Sequence, residues 1–343
     1  MSPTLLRKLK ILSIICFFSI LVGILYQRLN EGFIDHSAFI VGLSLGVSLG
    51  IFELFLMRKF DSYIKNYPLL LVVLLKASIY TLFIFLISSS LAILAGSLGG
   101  KRIEEMYEYL FSSSQLYLII YSLTFLAIVI YFLQISRLLG EGVLFKFLFG
   151  KYYKPVVEER IFMFLDLKSS TTTAEKIGHE KYYAFINSFF NDITDPVLNA
   201  KAEIYQYVGD EVVLTWKTKI GIQNANCITV FYSIKKKVEE NKEDYLKKYG
   251  VVPRFKAGLH FGKVITGQVG DIKREIVYNG DVLNTTSRIQ ALCNEYNHDF
   301  LISGSLLSLI SIPVHLEQQS LGKVKLKGKK DEIEIYALNN LEE

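Results

Sequence analysis

The sequence predicts a protein of two unlike parts: an α-helical transmembrane domain with four spans, followed by an α/β domain with a ferredoxin-like order of elements. Its 343 residues suffice for about two domains. Charge is uneven, because residues 1–140 hold 11 Lys and Arg and 7 Asp and Glu, whereas residues 141–343 hold 27 and 26. Long apolar stretches fill the first part, and strand and helix patterns alternate in the second.

The composition excludes several classes of protein. Hydrophobic residues make up 51% of the chain, which is too many for a disordered or low-complexity protein. The net charge of +5 is small and dispersed, so we expect no nucleic-acid partner. The three cysteines, Cys16, Cys227 and Cys293, form neither a disulfide framework nor a CxxC metal pair, which fits a reduced, cytoplasmic setting for the second part.

Four apolar segments of the first part predict transmembrane helices, and they lie at residues 11–27, 38–57, 69–95 and 116–136. A helix needs about 20 apolar residues to cross the hydrocarbon core of a bilayer. The first segment follows basic residues as a signal peptide does, but no small-residue cleavage site comes after it. We therefore expect four spans in contact with membrane lipid.

Basic residues lie mostly on one side of these spans. Nine lie before the first span, between the second and third, and after the fourth: Arg7, Lys8, Lys10, Arg58, Lys59, Lys65, Arg137, Lys146 and Lys151. The other two loops hold three, namely Arg28, Lys101 and Arg102. Because basic loops stay in the cytoplasm, both termini and the second domain should be cytoplasmic, at the plasma (inner) membrane. Whether the spans sense a signal or only anchor the chain stays open.

Two charged residues, Glu53 and Lys76, fall inside the second and third predicted spans. A membrane charge is costly unless it is paired or its head reaches the interface. Both lie toward the cytoplasmic ends of their helices, so their heads can meet at similar depth. We expect either an ion pair between these two spans or two side chains that reach the interface separately.

The second part begins after a linker. We divide the chain into a transmembrane domain at 1–137, a juxtamembrane linker at 138–157 and a soluble domain at 158–343. The patterns predict strands at 160–166, 202–208, 211–216, 254–261 and 263–269, helices up to 198, at 220–241 and at 282–296, and a hairpin at 323–338. Gly262 is expected to separate two strands. The order β-α-β-β-α-β is typical of a ferredoxin-like sandwich.

Two acidic residues of this domain suggest a metal site. Asp166 ends a buried strand before a helix, and Asp210 occupies a predicted hairpin turn. In a β-α-β-β unit these strands are neighbours, so their carboxylates can share divalent ions, which take one or two carboxylates and complete their shell with phosphates and water. Backbone N–H groups of residues 167–171, at a helix start, suit phosphates. The alternative is that Asp166 caps a helix and Asp210 only forms a turn.

Five segments, in this order, resemble motifs of the class III nucleotidyl cyclases, the adenylate and guanylate cyclases, in their membrane-anchored prokaryotic form. The two metal motifs of that family are similar to residues 164–171 (FLDLKSST) and 207–210 (YVGD). Its glycine-rich segment is similar to residues 258–267 (GLHFGKVITG), and its transition-state motif to residues 280–288 (GDVLNTTSR). Its late phosphate-binding segment matches residues 326–329 (LKGK). The resemblance covers residues 158–338.

The resemblance implies a catalytic role for each matching residue. Asp166, Asp210 and the backbone of Leu167 would bind two Mg²⁺ or Mn²⁺ ions. Asn284 would orient the ribose of ATP, and Arg288 would neutralise charge that develops at the α-phosphate. The residues implied in phosphate binding are Ser169, Ser170, Thr171, Lys263 and Lys327.

Some of these residues also have ordinary structural explanations. Asn284 and Arg288 are four residues apart, which is equally the spacing of a polar helix face. Lys327 lies in a lysine-rich hairpin that solvent alone would explain. The order of the five motifs favours the catalytic interpretation.

In the family that the sequence resembles, each active site lies between two catalytic domains. One domain supplies the metal-binding acids, and the other supplies the asparagine, the arginine and the base-specifying pair. This chain carries both sets once, so the resemblance implies a homodimer with two equivalent sites.

Two positions depart from the family pattern. Adenylate cyclases commonly specify adenine with a lysine and with an aspartate or threonine, and guanylate cyclases use glutamate and cysteine. This chain has Gln206 and Val277 at those places. ATP is favoured because prokaryotic members of the family are mostly adenylate cyclases. A guanylate cyclase, or a catalytically silent cyclase-like receptor, remains an alternative.

Overall fold

The computed structural model describes residues 3–32, 36–53, 57, 60, 63–64, 67–98, 108, 112–140, 143–329 and 331–341. The chain divides into two compact units, Met1–Leu139 and Gly140–Glu343. The predicted basic loop residues Arg58, Lys59, Lys65, Lys101 and Arg102 lie outside the described residues.

Helices make up the described part of the first unit. They are α1 (Pro3–Glu31), α2 (His36–Phe52), α3 (Leu69–Leu98) and α4 (Ser113–Leu139). Within the described residues, Leu69–Ser90 and Gln115–Ser136 are long and apolar enough to cross a membrane, judged by length and composition. The apolar stretches of α1 and α2 are shorter, at Ile15–Leu25 and Phe39–Phe52. Each predicted span thus overlaps a helix, although residues 54–56 of the second span lie outside the described residues, and four spans stay a prediction.

Glycines allow α1 and α2 to approach closely. Gly42, Gly46 and Gly50 recur every four residues on α2 and face α1. A Cβ atom would lie 2.8 Å from the Cα of Ile20 at Gly42 and 2.6 Å from the Cα of Cys16 at Gly46. Small residues at this spacing are typical of closely packed helices in membranes, where backbones must approach for dispersion contacts to form.

Of the two charged residues predicted inside the spans, Glu53 contacts the helix that carries Lys76. Glu53 accepts a hydrogen bond from the hydroxyl of Tyr80. Tyr80 is one helical turn after Lys76 on α3, and Lys76 is buried. Glu53 therefore has a partner on the third predicted span, while its direct pairing with Lys76 stays a prediction.

The second unit contains eight described strands with helices between them. The strands are β1 (Val156–Leu167), β2 (Glu203–Val208), β3 (Glu211–Lys217), β4 (Phe255–Val269), β5 (Glu275–Asn279), β6 (Phe300–Ser303), β7 (Leu316–Val324) and β8 (Ile333–Asn340). The helices are α5 (Val143–Leu148), α6 (Ser170–Ile177), α7 (His179–Asp192), α8 (Thr194–Asn199), α9 (Thr218–Ile222), α10 (Asn226–Glu240), α11 (Lys242–Tyr249), α12 (Asp281–Glu295) and α13 (Gly304–Leu307).

The strands form one mixed sheet in the order β2-β3-β1-β4-β6-β8-β7, and β5 pairs with β4. The predicted adjacency of the first and middle strands is present, since β1 pairs antiparallel with β3. The prediction that Gly262 separates two strands is wrong. β4 runs through it and pairs with β1 from Val156↔Thr266 to Leu167↔Phe255. β5 and β6 were not predicted, because both are too short to show a pattern.

Helices cover both faces of the sheet. On one face, α7, α8 and α10 pack over a core that includes Phe189, Trp216 and Phe231. On the other face, α12 contributes Ile289 and Cys293 to a separate cluster. The helix can lie close because β4 offers glycines beneath it. The single helical run predicted up to residue 198 is broken into three helices, with Gly178 at a φ of 84° between the first two.

A buried arginine joins the segment before β1 to the sheet. Arg160 on β1 is fully buried and lies 3.0 Å from Glu158 and 3.4 Å from Glu203. Glu203 at the start of β2 is also 3.0 Å from Lys146 on α5. Glu158 accepts a hydrogen bond from the Tyr152 hydroxyl at 2.8 Å. The end of the predicted linker is therefore fastened to β1 and β2 by alternating charges.

Candidate active site

Two acidic residues meet where β1 ends and β3 begins. Asp166 pairs with Glu211 in the β1–β3 ladder, and Asp210 precedes Glu211 in the tight turn after Gly209. The Ser170 hydroxyl at the start of α6 lies 3.1 Å from the carbonyl oxygen of Leu167 and contacts the Asp210 carboxylate. The structure thus brings together both predicted metal-binding acids, the predicted carbonyl and one predicted phosphate-binding residue.

Asp166 is held from two other elements. The side-chain amide of Gln290 on α12 donates a hydrogen bond of 3.0 Å to its Oδ2 atom, and the Lys256 ammonium on β4 is 3.5 Å from the same oxygen. Burial, followed by the negative charge of Asp210, raises the pKa of Asp166. Lys256 and Gln290 act against this rise because both stabilise the ionised carboxylate.

A third acid adds to the local negative charge. Burial raises the pKa of Glu211 to about 7, and the charges of Asp166 and Asp210 contribute to this shift. A divalent cation would relieve the repulsion among these carboxylates. In the described residues, no cluster of three or more His, Cys, Asp or Glu side chains is arranged to hold a metal. The pair of carboxylates at Asp166 and Asp210 suits Mg²⁺, which commonly takes one or two carboxylates and completes its shell with substrate phosphates and water.

A cavity of about 540 Å³ opens beside the start of α6. Its lining includes Lys168, Ser169, Ser170, Thr173, Tyr182 and Arg254. Ser169 adopts a φ of 57° just before the helix, and Thr171 is exposed in its first turn. Three of the five residues predicted to bind phosphates, Ser169, Ser170 and Thr171, therefore lie at the start of α6, next to a cavity lined in part by basic side chains.

A second group of predicted residues gathers around α12. Asn284 is exposed on this helix, and Arg288 is half-buried one turn later. The guanidinium of Arg288 faces Gly328, where a Cβ atom would lie 3.4 Å from its Nη2. Lys327 is exposed in the same turn, and Lys329 binds Asp281 at the first position of α12. The structure therefore places Asn284, Arg288 and Lys327 near one another.

We call Asp166, Asp210 and Glu211, with their neighbours Lys256 and Gln290, the acid group. We call Asn284, Arg288 and Lys327 the α12 group. The two groups lie on different sides of that helix. At about 100° per residue, Gln290 is roughly 120–160° around the helix from Asn284 and Arg288. Gln290 faces the sheet and Asp166, whereas Asn284 is exposed. Among the described residues, no hydrogen bond or ion pair joins Asp166 or Asp210 to Asn284, Arg288 or Lys327.

The predicted base-specifying positions lie on two strands linked by aromatic rings. Gln206 is exposed on β2, and Val277 is half-buried on β5 opposite Gly267. Their neighbours Tyr205 and Tyr278 pack edge to face with ring centroids 4.9 Å apart. Lys263, predicted to bind phosphate, is exposed on β4 opposite Glu159. It has no contact with the acid group among the described side chains.

Sequence reasoning missed three residues of the acid group. Lys256 lies in an otherwise apolar part of β4, and a lone charge in a buried strand is a usable signal that a partner exists. Glu211 follows Asp210 directly, so its proximity was readable from the turn. Gln290 offered no such signal, because its partner Asp166 is 124 residues away in sequence.

Comparisons with known proteins identify the family to which this chain belongs. The model of the "Adenylate and Guanylate cyclase catalytic domain" family matches residues 153–340. Adenylate cyclase 2 of Rhizobium meliloti (strain 1021) is 34% identical over 244 residues, covering 71% of this chain and 66% of that protein. The adenylate cyclase of Anabaena cylindrica is 26% identical over 178 residues, covering 51% and 35%.

A bacterial light-regulated adenylyl cyclase shares the fold, with a TM-score of 0.54 and 19% identity over 67% of each chain. The chain spans 66% of the first relative's length and 35% of the second's. The matched family region, residues 153–340, contains all five motifs and covers more than half of the sequence. The family prediction is therefore confirmed, and this chain belongs to the adenylate and guanylate cyclase family.

Proposed function

We propose that this protein is a membrane-bound adenylate cyclase, which converts ATP to 3′,5′-cyclic AMP and pyrophosphate at sites shared between two chains. The observation that carries the proposal is the meeting of Asp166 and Asp210 beside the first turn of α6. We choose ATP over GTP as the substrate because these relatives are named adenylate cyclases.

The acid group suits the metal side of such a site. Asp166, Asp210 and the Leu167 carbonyl would hold two Mg²⁺ or Mn²⁺ ions, with the substrate completing their coordination. Bound divalent ions supply Lewis acidity, which lowers the pKa of the ribose 3′-hydroxyl and offsets the charge of the triphosphate. The first turn of α6, with Ser169, Ser170 and Thr171, would receive the terminal phosphates at its N–H groups.

The residues around α12 suit the other side of the site. Asn284 would accept and orient the ribose so that its 3′-oxygen faces the α-phosphorus. As that oxygen attacks, the bond to the β-phosphate breaks and pyrophosphate leaves. Arg288 would stabilise the charge that develops on the α-phosphate, an electrostatic contribution that is usually large. Lys327, and Lys263 from its strand, would bind the departing phosphates.

Exposed apolar side chains support a homodimer of the second unit. Several lie on β1, β2 and β4, namely Val157, Ile204, Tyr207, Val208 and Ile265. Clusters of exposed apolar residues commonly mark interaction sites. A second copy of this chain fits the division of predicted residues, because the acid group and the Asn284–Arg288 group make no direct contact within one chain.

The helices of the first unit support membrane attachment. Two of its described helices have the length and apolarity of spans, and four of its helices coincide with predicted spans. Their side chains include many exposed large hydrophobic residues, such as Phe17, Ile40, Leu70 and Leu133. A lipid environment explains this exposure better than water does. We place the catalytic domain and both termini in the cytoplasm.

Product identification tests the proposal. The full chain, purified in detergent, is incubated with ATP or GTP and Mn²⁺, and products are separated by chromatography and identified by mass. Cyclic AMP from ATP supports the proposal, and cyclic GMP alone makes the protein a guanylate cyclase. An Asp166→Asn variant controls for contaminating activity. The absence of any product would favour a silent receptor.

Mixing inactive chains tests the shared site. Asp166→Ala removes the metal side from one chain, and Asn284→Ala removes the ribose contact from the other. A mixed dimer would keep one complete site, so activity should return to roughly a quarter of the wild-type value when chains associate at random. If both variants stay inactive after mixing, the shared site is wrong.

A further inference from the structure

Gln290 has no place among the motifs that predict the active site, yet its side chain touches one of the predicted metal-binding acids. Its amide nitrogen donates a 3.0 Å hydrogen bond to Oδ2 of Asp166. The side chain is buried on the sheet side of α12, at 6% exposure. A buried amide keeps a fixed geometry because its hydrogen bonds are hard to replace with water.

The backbone fixes the position of this amide. A Cβ atom at Gly258 would lie 2.3 Å from the backbone nitrogen of Gln290, so α12 rests directly on β4 at this point. At the N-terminal end of the helix, a Cβ atom at Gly262 would lie 2.6 Å from a side-chain carbon of Val282. Two glycines on β4 thus set the height of α12 over the sheet, and with it the reach of Gln290.

The contacts of Lys256 and Gln290 with Asp166 differ in how well they can fix the orientation of its carboxylate. Lys256 is 3.5 Å from Oδ2, and Gln290 is 3.0 Å from the same atom. An ammonium supplies charge with little directional demand, whereas an amide N–H fixes the direction of its acceptor. Both contacts end on Oδ2 and neither involves Oδ1. The amide therefore determines the rotation of the carboxylate, and Lys256 mainly favours its ionised form.

We propose that Gln290 is a positioning residue, which orients the Asp166 carboxylate for divalent metal, and that α12 thereby serves both active sites of the dimer. The proposal rests on the proposed function. In a dimer with shared sites, Asn284 and Arg288 of one α12 would act on nucleotide held by the partner subunit. Gln290 of the same helix, on its opposite side, acts on the chain's own Asp166.

Hydrogen-bond partners of metal ligands commonly change metal affinity or activity by 10–100-fold when they are removed. We therefore expect Gln290→Leu to raise the Mn²⁺ concentration for half-saturation about 10-fold. Binding is measured by electron paramagnetic resonance with 3′-deoxy-ATP, which cannot cyclise, so the readout does not depend on turnover. Thr286→Val, another buried polar-to-apolar change on α12, is the matched control and should leave Mn²⁺ binding within about twofold.

An isosteric variant separates hydrogen bonding from packing. Gln290→Met keeps the approximate length and volume of the side chain but removes the amide donor. If Gln290 orients Asp166 as a donor, the methionine variant should weaken Mn²⁺ binding about as much as Gln290→Leu. If the side chain only fills space, the methionine variant should bind Mn²⁺ as the wild type does, and the proposal is overturned.

Mixed dimers locate the effect in one chain. An Asp166→Ala chain and an Asn284→Ala chain, carrying different affinity tags, are purified together so that each dimer has one complete site. Gln290→Leu is then added to either chain, and activity is titrated with Mn²⁺. The proposal expects a roughly 10-fold higher Mn²⁺ requirement when the change is in the chain that keeps Asp166. It expects less than a twofold change in the other chain.

The outcomes of this experiment are distinct. An equal effect in either chain would mean that Gln290→Leu disturbs α12 as a whole, which overturns the positioning role. No effect in either chain would overturn it as well, leaving Lys256 as the sufficient partner. If the dimer of Asp166→Ala and Asn284→Ala chains shows no activity even without Gln290→Leu, the proposed shared site is wrong. The Mn²⁺ binding measured on the single Gln290 variants still decides the role of Gln290.

Discussion

The guanidinium of Arg160 lies 4.6 Å above the ring centroid of Tyr278 and connects the first strand of the sheet to β5. The same guanidinium is paired with Glu158 and Glu203. Glu203 continues the contact to Lys146 on α5, before the catalytic domain begins. One buried side chain thus ties α5, β1, β2 and β5 together, and two of these strands carry the predicted base-specifying positions.

Removing Arg160 should destabilise the protein strongly. Arg160→Met leaves Glu158 and Glu203 without their shared cation, and breaking a buried ion pair from one side costs about 3–5 kcal/mol. We expect the thermal midpoint of the full chain in detergent to fall by roughly 10 °C. Lys237→Met, which breaks an exposed pair with Glu240, should cost under about 1 kcal/mol. Equal midpoints for the two variants would contradict the network.

Glu211 should make the metal-free protein less stable as pH rises. Burial and the charges of Asp166 and Asp210 raise its pKa from 4.5 to about 7, and Lys256 only partly offsets this. Between these pH values the folded chain holds a proton that the unfolded chain has released. Stability therefore falls as pH rises through this window.

We expect Glu211→Gln to remove part of that fall. The measurement is the thermal midpoint of the full chain in detergent with a chelator, at pH 5 and pH 8. The wild type should lose more degrees between the two pH values than Glu211→Gln does. Glu240→Gln, at an exposed position, serves as the control and should behave like the wild type. The same loss in Glu211→Gln as in the wild type would refute this prediction.

Gly258→Ala should push α12 away from the sheet. The added methyl group would lie 2.3 Å from the backbone nitrogen of Gln290, and backbone cannot yield as a flexible side chain does. Overpacking of this kind costs about 1–3 kcal/mol. We expect lower stability together with weaker Mn²⁺ binding, because the reach of Gln290 to Asp166 changes. Gly267→Ala on the same strand meets Pro155 only at 3.5 Å and should cost less. Equal effects would show that strand substitution alone matters.

The sequence predicted those parts of the site that depend on short-range patterns. Asp166 lies at the end of a buried strand and Asp210 in a two-residue turn, so their meeting follows from the pairing of β1 with β3. Gly262 was misinterpreted because a glycine permits either a turn or a close approach of two elements, and here α12 passes over it. The contact between Gln290 and Asp166 could not be predicted from the sequence, because it depends on how a helix that is distant in sequence packs on the sheet.

Gln206 and Val277 provide the last prediction, which concerns the nucleotide base. The cyclase family commonly specifies adenine with a lysine and an aspartate or threonine at these positions. Tyr205 and Tyr278, the sequence neighbours of these residues, pack with ring centroids 4.9 Å apart, so β2 and β5 approach each other near the two positions. We expect Gln206→Lys with Val277→Asp to raise the ratio of kcat/KM for ATP over GTP. A hydrogen bond to a charged group contributes about 1.5–3 kcal/mol, which corresponds to at least roughly 10-fold.

The opposite pair, Gln206→Glu with Val277→Cys, should shift the ratio toward GTP by a similar factor. Measuring both nucleotides on both double variants controls for a general loss of activity, because a damaged enzyme loses both reactions in proportion. Each single variant should change the ratio by less than the corresponding double variant, because only one of the two positions then forms its hydrogen bond to the base. If both double variants keep the wild-type ratio, the base is specified elsewhere, and β2 and β5 do not form its binding site.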